Sequence, residues 1–378
     1  MMEYVNLGDV ATYINGYAFK PEQRGKKGLP IIRIQDLNGN SHDLGFFDGE
    51  YPKQVEINAG DILISWSGSL GVYKWNKGKA LLNQHIFKVL FNKIKIDKEY
   101  FCYAIRNSLA AMSQQTHGAT MKHITKKDFD NILIPYPDLN VQRQIANNLE
   151  IVNELIEYYE KELILLEQLI KARFIEMFGD PIRNPYGWYN DCLNNVCTKI
   201  NDGTHCSPES FDKGDYMYIT AKNIKQNGLD LSNVTYVSEK VHKPIYQRCN
   251  PEFGDILYIK DGATTGIATI NTMKNEFTLL SSVALLKYDR SLINGYYLIH
   301  LLNSKEMYSK IRKNMGGAAI TRLTIAKIKE IKVIVPPIDL QNQFADFIQQ
   351  VDKSREAVKK SLEKTQQLYD SLMQEYFG

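Results

Sequence analysis

Few stretches of this chain carry residue types at spacings that do covalent chemistry, and each breaks off before its pattern is complete. Gly78-Lys79 would serve a phosphate loop only if Ser or Thr came next, but Ala80 follows. Asn184-Pro185-Tyr186 approaches the Asn/Asp-Pro-Pro-aromatic string that holds a flipped base in DNA methyltransferases. It lacks the second proline, and no glycine-rich cofactor loop follows a strand. A nuclease centre needs acidic residues paired with Lys at short spacing. Pro137-Asp138 has no such continuation, and the matching place farther on reads Pro336-Pro337, so a turn before a helix accounts for both. His205 beside Cys206 fits no familiar zinc spacing, and Ser, His and Asp are scattered without a local nucleophile signature. The reading that follows is a chain that catalyses nothing and holds no metal or cofactor of its own.

The elements that must position any functional side chain are written twice. LGDVATYIN from Leu7 returns as LNNVCTKIN from Leu193, GDILIS at Gly60 as GDILYI at Gly254, and GSLG at Gly68 as GATTG at Gly262. The stretch ending at Ile145 then lies without a gap over the one ending at Phe344, and the match runs on to Phe178-Gly179 and Phe377-Gly378. The offset between copies is 186 at Leu7 and 199 from Gly118 onward, so the second copy gains 13 residues, all ahead of its tail. Constant tails read as a shared frame, and variable globular parts as parts with different jobs.

Each tail reads as one long helix with a heptad seam: Ile145, Leu149, Val152, Ile156, Tyr159, Leu163, Leu166, Ile170, Arg173 and Met177 in the first, and Phe344 through Tyr376 at the same spacing in the second. Prolines precede and Gly179 and Gly378 close them. About 35 helical residues make a rod on the order of 50 Å. The globular copies alternate short apolar runs (Leu29 to Ile34, Asp61 to Trp66, Ile86 to Phe91, Met217 to Thr220, Asp255 to Ile259, Ser282 to Leu286) with Gly and Asn turns. Helices are predicted at Lys98 to Gln114 and Ile293 to Lys313. The fold class is α+β: two pseudo-repeated mixed α/β domains, 1–142 and 180–341, separated by two long coiled-coil helices, 143–179 and 342–378.

Composition sets bounds consistent with this. A chain of 378 residues, 44% hydrophobic and 24% charged, exceeds one ordinary core. No apolar run approaches a membrane span and the first residues do not resemble a signal peptide, so a cytoplasmic location is expected. Cys102 lies alone in one half with Cys192, Cys197, Cys206 and Cys249 in the other, which suits reduced thiols. A net charge of +3 proves no nucleic-acid partner, but from Lys305 to Lys332 eight basic residues face only Glu306 and Glu330. That run suits either a phosphate-facing surface or a solvated helix face.

Two variable regions, each followed by an Ile-Pro-x-Pro or Val-Pro-Pro turn, a Gln-x-x-Ile or Gln-x-Phe helix start and a heptad helix ending in Phe-Gly, resemble the specificity subunits of type I restriction-modification enzymes. The junction Met177-Phe178-Gly179-Asp180-Pro181 with Asn184-Pro185 and Gly187-Trp188, the string Asp202-Gly203-Thr204-His205, and the Gly/Ala/Thr-rich turns at Gly118 and Gly317 are similar to the family's patterns. The first domain departs from it with Asn15-Gly16-Tyr17-Ala18 in place of Asp-Gly-Thr-His. The resemblance covers nearly the whole chain. It implies a pseudo-twofold molecule whose two long coiled-coil helices pack antiparallel as a spacer and whose two domains each read half of an interrupted double-stranded DNA target. Two modification (methyltransferase) subunits would dock on it and restriction subunits would join to cleave, with S-adenosylmethionine, ATP and Mg²⁺ on those partners.

Bases are read by side chains that reach their edges, whereas Lys, Arg and backbone amides on phosphates set position. The candidates for DNA contact in the first domain are Asn15, Tyr17, Lys20, Arg33, Gln35, Ser67, Lys74, Lys122 and His123. In the second they are Asp202, Thr204, His205, Lys222, Asn223, Lys260, Thr264, Thr265, Thr321 and Arg322. Asp202 and Thr204 would equally serve a local turn, and Tyr17 a core. A coiled-coil adaptor without sequence-specific DNA binding is the alternative. It explains the helices but not two divergent, turn-rich domains.

The rod reading yields a length prediction. Four residues inserted into the first long helix, about one turn, displace a domain by roughly 6 Å, near two base pairs at about 3.4 Å each, and nearly preserve its rotational phase. Methylome sequencing of a host carrying the insertion should show both half-sites unchanged and their separation altered. Changed bases at unchanged separation would defeat the spacer.

Overall fold

The protein is represented by a computed structural model that describes residues 3–40, 43–115, 124–313, 315 and 322–378. The chain divides into two compact units, Met1–Glu160 with Ser361–Gly378, and Lys161–Lys360. Each unit therefore combines a globular region with parts of both long helices.

The repeat in the sequence is a repeat in the fold. In the first unit an antiparallel sheet runs Thr12–Asn15, Ile86–Leu90, Ile62–Ser65, Gly71–Lys74. In the second the order is Cys197–Asp202, Val283–Tyr288, Ile256–Ile259, Ala268–Ile270. Beside each lies a mixed sheet whose parallel pair is Leu29–Ile32 with Ala80–Leu82, or Tyr216–Ile219 with Phe277–Leu279. The repeated apolar string occupies a strand covered on both faces. Ile62 and Ile64 enter one core while Leu63 enters another, and Ile256 and Tyr258 part from Leu257 and Ile259 in the same way. Gly60 and Gly254 precede these strands at φ 93° and 90°, a left-handed turn that disfavours any side chain.

Most of the second copy's extra length falls between Tyr216–Ile219 and Ile256–Ile259, where a short hairpin (Ile224–Lys225, Gly228–Leu229) and the helix Glu239–Arg248 stand. The helix expected over Ile293 to Lys313 is instead two, Gly295–Asn303 and Lys305–Lys313. The break has a local cause. Asn303 pairs with the backbone of Ala268 through both amide atoms, at 2.9 and 2.8 Å, and the Ser304 hydroxyl accepts from Met307 N at 3.3 Å to cap the next helix.

The long helices are continuous, Leu139–Phe178 and Ile338–Phe377. Each begins four residues before the boundary read from the sequence. Asp138 caps the first by accepting from Asn140 N and Val141 N at 2.9 and 3.1 Å, and Pro336-Pro337 fixes the start of the second. Within each unit they run antiparallel. Asn148 reaches Tyr376 at 3.2 Å in the first unit, and the Phe174 and Phe344 rings lie 5.5 Å apart in the second. Ile145, Leu149, Val152 and Ile170 are buried as the seam requires, but in the last turn burial passes from Arg173 and Met177 to Phe174 and Phe178. Phe178 fills the space against Tyr297, ring centroids 4.6 Å apart, so the seam rotates to meet the globular core.

One clamp joins each globular region to its helix, and it too is made twice. Gln142 and Gln341 are fully buried. Gln142 accepts from Asp97 N at 2.9 Å and donates to Pro137 O at 2.8 Å. Gln341 accepts from Asn294 N at 2.9 Å and donates to Pro336 O and Leu292 O at 2.7 and 3.1 Å. Nearby, Tyr100 and Tyr297 donate their hydroxyls to Pro135 O and Ile334 O at 2.8 and 2.9 Å.

Leaving a buried donor and acceptor without partners costs about 1–3 kcal/mol. Gln341→Leu should lower stability by about that much and speed hydrogen exchange at the Asn294 amide, with Asp97 unaffected. Gln142→Leu should show the reverse pattern. Equal acceleration at both amides in either variant would show that the clamp is not local.

Candidate functional site

In each four-stranded antiparallel sheet, two strands flank a central one antiparallel to both, so their C-terminal ends meet on one side. In the first unit those ends carry Asn15 and Trp66; in the second, Asp202 and Lys260. A glycine follows the first strand in both. A Cβ on Gly16 would lie 1.9 Å from Asn83 O, and on Gly203 1.9 Å from Leu279 O, so only glycine lets the backbone cross the neighbouring strand there. Tyr17 N then donates to Leu82 O and Thr204 N to Leu279 O, at 2.9 and 2.8 Å. The Asn-Gly-Tyr-Ala and Asp-Gly-Thr-His strings are thus one turn with two sets of side chains. Linear offset would match Asn15 to Asn201, but a register shift between Cys197 and Lys199 moves Asp202 into its place.

The equivalent contact differs in chemistry. Asn15 Oδ1 accepts from Trp66 Nε1 at 3.2 Å, and the indole stacks on Phe87 with centroids 5.5 Å apart. In the second unit Lys260 Nζ lies between Asp202 Oδ2 at 3.4 Å and Asp261 Oδ2 at 3.2 Å, with its side chain 2% exposed. Asp202 Oδ1 also meets His205 Nε2 at 3.3 Å and Arg248 Nη1 at 3.5 Å, and Asp261 Oδ1 meets Arg322 Nε at 3.2 Å. Arg248 donates its other terminal nitrogen to Gly203 O. A chain of alternating charge therefore runs from a buried ammonium to two partly exposed guanidiniums. Burying an ion costs several kcal/mol, which the flanking carboxylates offset. The backbone closes the turn from the far side: Leu323 N donates to Lys260 O at 2.8 Å, as Ile124 N does to Trp66 O at 3.3 Å.

The other candidates scatter. Asn15, Tyr17 and Lys20 are exposed, and Tyr17, 37% exposed, packs edge-on against Phe19 rather than entering the core. Arg33 is half-buried and engaged with Asp36 at 3.0 Å and with Asp43 O, while the Gln35 amide oxygen accepts from its Nη1 and Nη2 at 3.2 and 3.0 Å. That pair braces a loop. Lys74 is ion-paired to Glu99, which holds its ammonium above the ordinary lysine range. Ser67 is buried. Lys222 and Thr264 are exposed at turns, whereas their neighbours Asn223 and Thr265 are buried. Asn223 accepts from Thr220 N and donates to Asp230 O, both at 3.0 Å, and Thr265 donates to Gly262 O at 2.7 Å. These two side chains hold their turns and present nothing to solvent. Thr204 likewise bonds Cys206, accepting from its N at 3.3 Å and donating to its O at 3.1 Å. Lys122, His123 and Thr321 lie outside the described residues.

Three participants escaped the sequence reading. Asp261 had a signal, since it follows the repeated strand and stands where the first copy has Ser67. Trp66 stands one step earlier, opposite Lys260. Arg248 had none, because it ends a helix that the first copy lacks. Within the basic run, Arg312 donates to Ala263 O and Thr265 O at 2.9 and 3.3 Å and so buttresses the Gly262–Gly266 turn, while Lys305, Lys310 and Lys313 stay exposed. Among the described residues no cluster of His, Cys, Asp and Glu suits a metal ion, and no helix is long and apolar enough to cross a membrane. All five cysteines are unpaired, and burial pushes the Cys102, Cys197 and Cys249 thiols up to about 12.

The family described as "Type I restriction modification DNA specificity domain" matches the chain twice, over residues 1–168 and 185–367. The chain is 23% identical over 405 residues to the Type I restriction enzyme EcoBI specificity subunit of Escherichia coli, covering 99% of this chain and 85% of that one. It is 22% identical over 389 residues to the MjaVIII specificity subunit of Methanocaldococcus jannaschii, covering 98% and 91%. Among solved structures, the S subunit of a type I restriction-modification system from M. genitalium superposes with a TM-score of 0.59 at 16% identity, covering 100% of this chain and 96% of that one. A chain from a type I R-M system solved in a study of its assembly and conformational transition gives 0.60 at 17% identity, covering 99% and 97%. At such identities the structural likeness concerns the fold.

The buried ion chain predicts a non-additive stability pattern. Asp202→Ala leaves the Lys260 ammonium with one carboxylate and should cost about 3 kcal/mol in denaturant unfolding. Adding Lys260→Met removes the stranded charge, so the double variant should be more stable than Asp202→Ala alone. Simple addition of two losses would contradict the coupling.

Proposed function

Because the chain belongs to the type I restriction-modification DNA specificity family, we propose that it is the sequence-reading subunit of such a complex, each unit addressing one half of a bipartite double-stranded DNA target. The observation that carries this reading is the doubled strand-end turn. One backbone frame is built twice, with Asn15 and Trp66 in one copy and Asp202, Lys260, Asp261 and Arg322 in the other. Identical frames with different hydrogen-bonding and charged groups are what two readers of two different half-sites require, since base edges differ in their donor and acceptor patterns. An adaptor would have no use for that divergence.

In this reading the candidates divide by what they can reach. Asn15, Tyr17, Thr264, His205, Arg248 and Arg322 are the groups available to base edges, Lys20, Lys222 and the exposed lysines of Lys305–Lys313 suit phosphates, and the buried groups hold the turns. The chain itself performs no chemistry. Methylation and cleavage are directed through two modification subunits and through restriction subunits, and S-adenosylmethionine, ATP and Mg²⁺ are bound by those partners. The incomplete motifs at Gly78-Lys79 and Asn184-Pro185-Tyr186 support that division of labour.

Reconstitution tests it. The purified chain alone should transfer no methyl group to DNA, and addition of its modification subunit should give methylation at an interrupted motif whose two halves differ in sequence. A palindromic motif, or methyl transfer by the chain alone, would overturn the proposal.

A further inference from the structure

The second unit's ion chain ends on a side chain held in a particular way. Arg322 is joined to Asp261 through Nε at 3.2 Å, and its side chain is 58% exposed. An isolated backbone bridge pairs the same two residues, so the backbone holds them side by side and the ion pair adds to that contact. Asp261 is itself anchored on its other oxygen by Lys260 Nζ at 3.2 Å, and Lys260 is pinned from behind by Asp202 at 3.4 Å. A carboxylate on Nε leaves the guanidinium's far end, Nη1 and Nη2, without a partner among the described residues. That end is the planar two-donor fork that matches the O6 and N7 acceptors of guanine. The first unit has Ser67 where Asp261 stands, so it lacks the carboxylate.

We propose that Arg322 reads a guanine in the half-site addressed by the second unit, and that Asp261 is its positioning residue, held in turn by the buried Lys260. The inference rests on the sequence-reading role argued above and gives it a base and a direction. Charge favours a base edge over a phosphate as the target. Asp202 and Asp261 oppose Arg248, Lys260 and Arg322, so these two carboxylates and three cations leave an excess of one positive charge. A carboxylate beside the fork weakens attraction for an anion but costs little toward a neutral base edge. It also removes rotamers that Arg322 would otherwise lose on binding. Lys305, Lys310 and Lys313 are exposed with no such carboxylate brace among the described residues and are the better phosphate groups.

The test uses the chain assembled with its modification subunits, read by the methylated motif and by binding to oligonucleotides. In the wild-type complex, replacing one guanine of one half-site by 7-deazaguanine, which lacks the N7 acceptor, should weaken binding roughly 5- to 150-fold. In Arg322→Ala the same replacement should change nothing, and the methylome should show that position relaxed to any base with the other half-site intact. Arg322→Lys should not restore discrimination, because an ammonium offers no planar fork. Asp261→Asn should retain binding but lose part of the preference, which a merely structural loss would not do. The proposal fails if Arg322→Ala weakens all sites uniformly with the motif unchanged, the mark of a phosphate contact. It fails equally if 7-deazaguanine is tolerated throughout both half-sites of the wild-type complex, a measurement needing no variant. Absence of any bipartite motif in the wild-type complex would instead sink the sequence-reading role itself.

Discussion

A buried glutamine at the start of each long helix is the interaction on which the arrangement of each unit depends. Gln142 and Gln341 lie within the first turn, where an α-helix has backbone groups to satisfy, and each connects the preceding proline carbonyl to an amide at the start of a helix in the globular region. An apolar residue would pack but would leave those groups unpaired. A charged one would meet a desolvation cost with no counter-ion. Glutamine, with one acceptor and two donors, meets the requirement in a single side chain. With the helix start tied down, Phe174, Phe178 and Phe344 pack with Tyr297 in the second unit, and Tyr100 packs against Phe377 in the first, ring centroids 5.4 Å apart. The long helix becomes part of the core instead of an appendage to it.

With the frame held in this way, variation is confined to the strand ends. The same backbone crossing at Gly16 and Gly203 tolerates a neutral amide and indole in one copy and a five-ion chain in the other. The charged version is the more demanding. Lys260 is almost wholly buried, and only the two carboxylates flanking it, one of them continuing to Arg322, make that tolerable. Its consequence is geometric, since opposite charges that flank a buried ammonium hold side-chain direction through electrostatic contact as well as packing. The neutral version relies on aromatic stacking, with Trp66 lying against Phe87 and edge-on to His85 at 4.9 Å.

Polar residues along the helix seam have local explanations. Arg173 lays its guanidinium over Phe347 at 5.7 Å and pairs with Glu176 at 2.8 Å. Arg355 pairs with Asp352 at 2.8 Å, and the Thr365 hydroxyl donates to Ser361 O at 2.9 Å. All three side chains are half-buried, and each engages a neighbour on its own helix through one polar group.

What the sequence determined by itself is the doubled plan. Short apolar runs bounded by turn residues and the 3.6-residue helical period are local properties, so the strand Ile62–Ser65, its twin Ile256–Ile259 and the two long helices could be read from GDILIS, GDILYI and the heptads without any contact being known. The break at Ser304 could not, because the Asn303 side chain that sets it reaches 35 residues back along the chain to Ala268. The site was legible only in outline. Gly203, Asp202 and Arg322 lie on turns marked by glycine, but Asp202, Lys260 and Arg322 are 58 and 62 residues apart along the chain, and no local pattern says that a lysine in an apolar strand end will sit between two carboxylates. Arg33, Asn223 and Thr265 looked equally able to face a ligand, since residue type does not reveal whether a neighbour such as Asp36, Asp230 or Gly262 will take up the side chain. Those choices belong to the tertiary structure, because burial and partner geometry are set by segments far apart in the chain, whereas periodicity is set within a few residues.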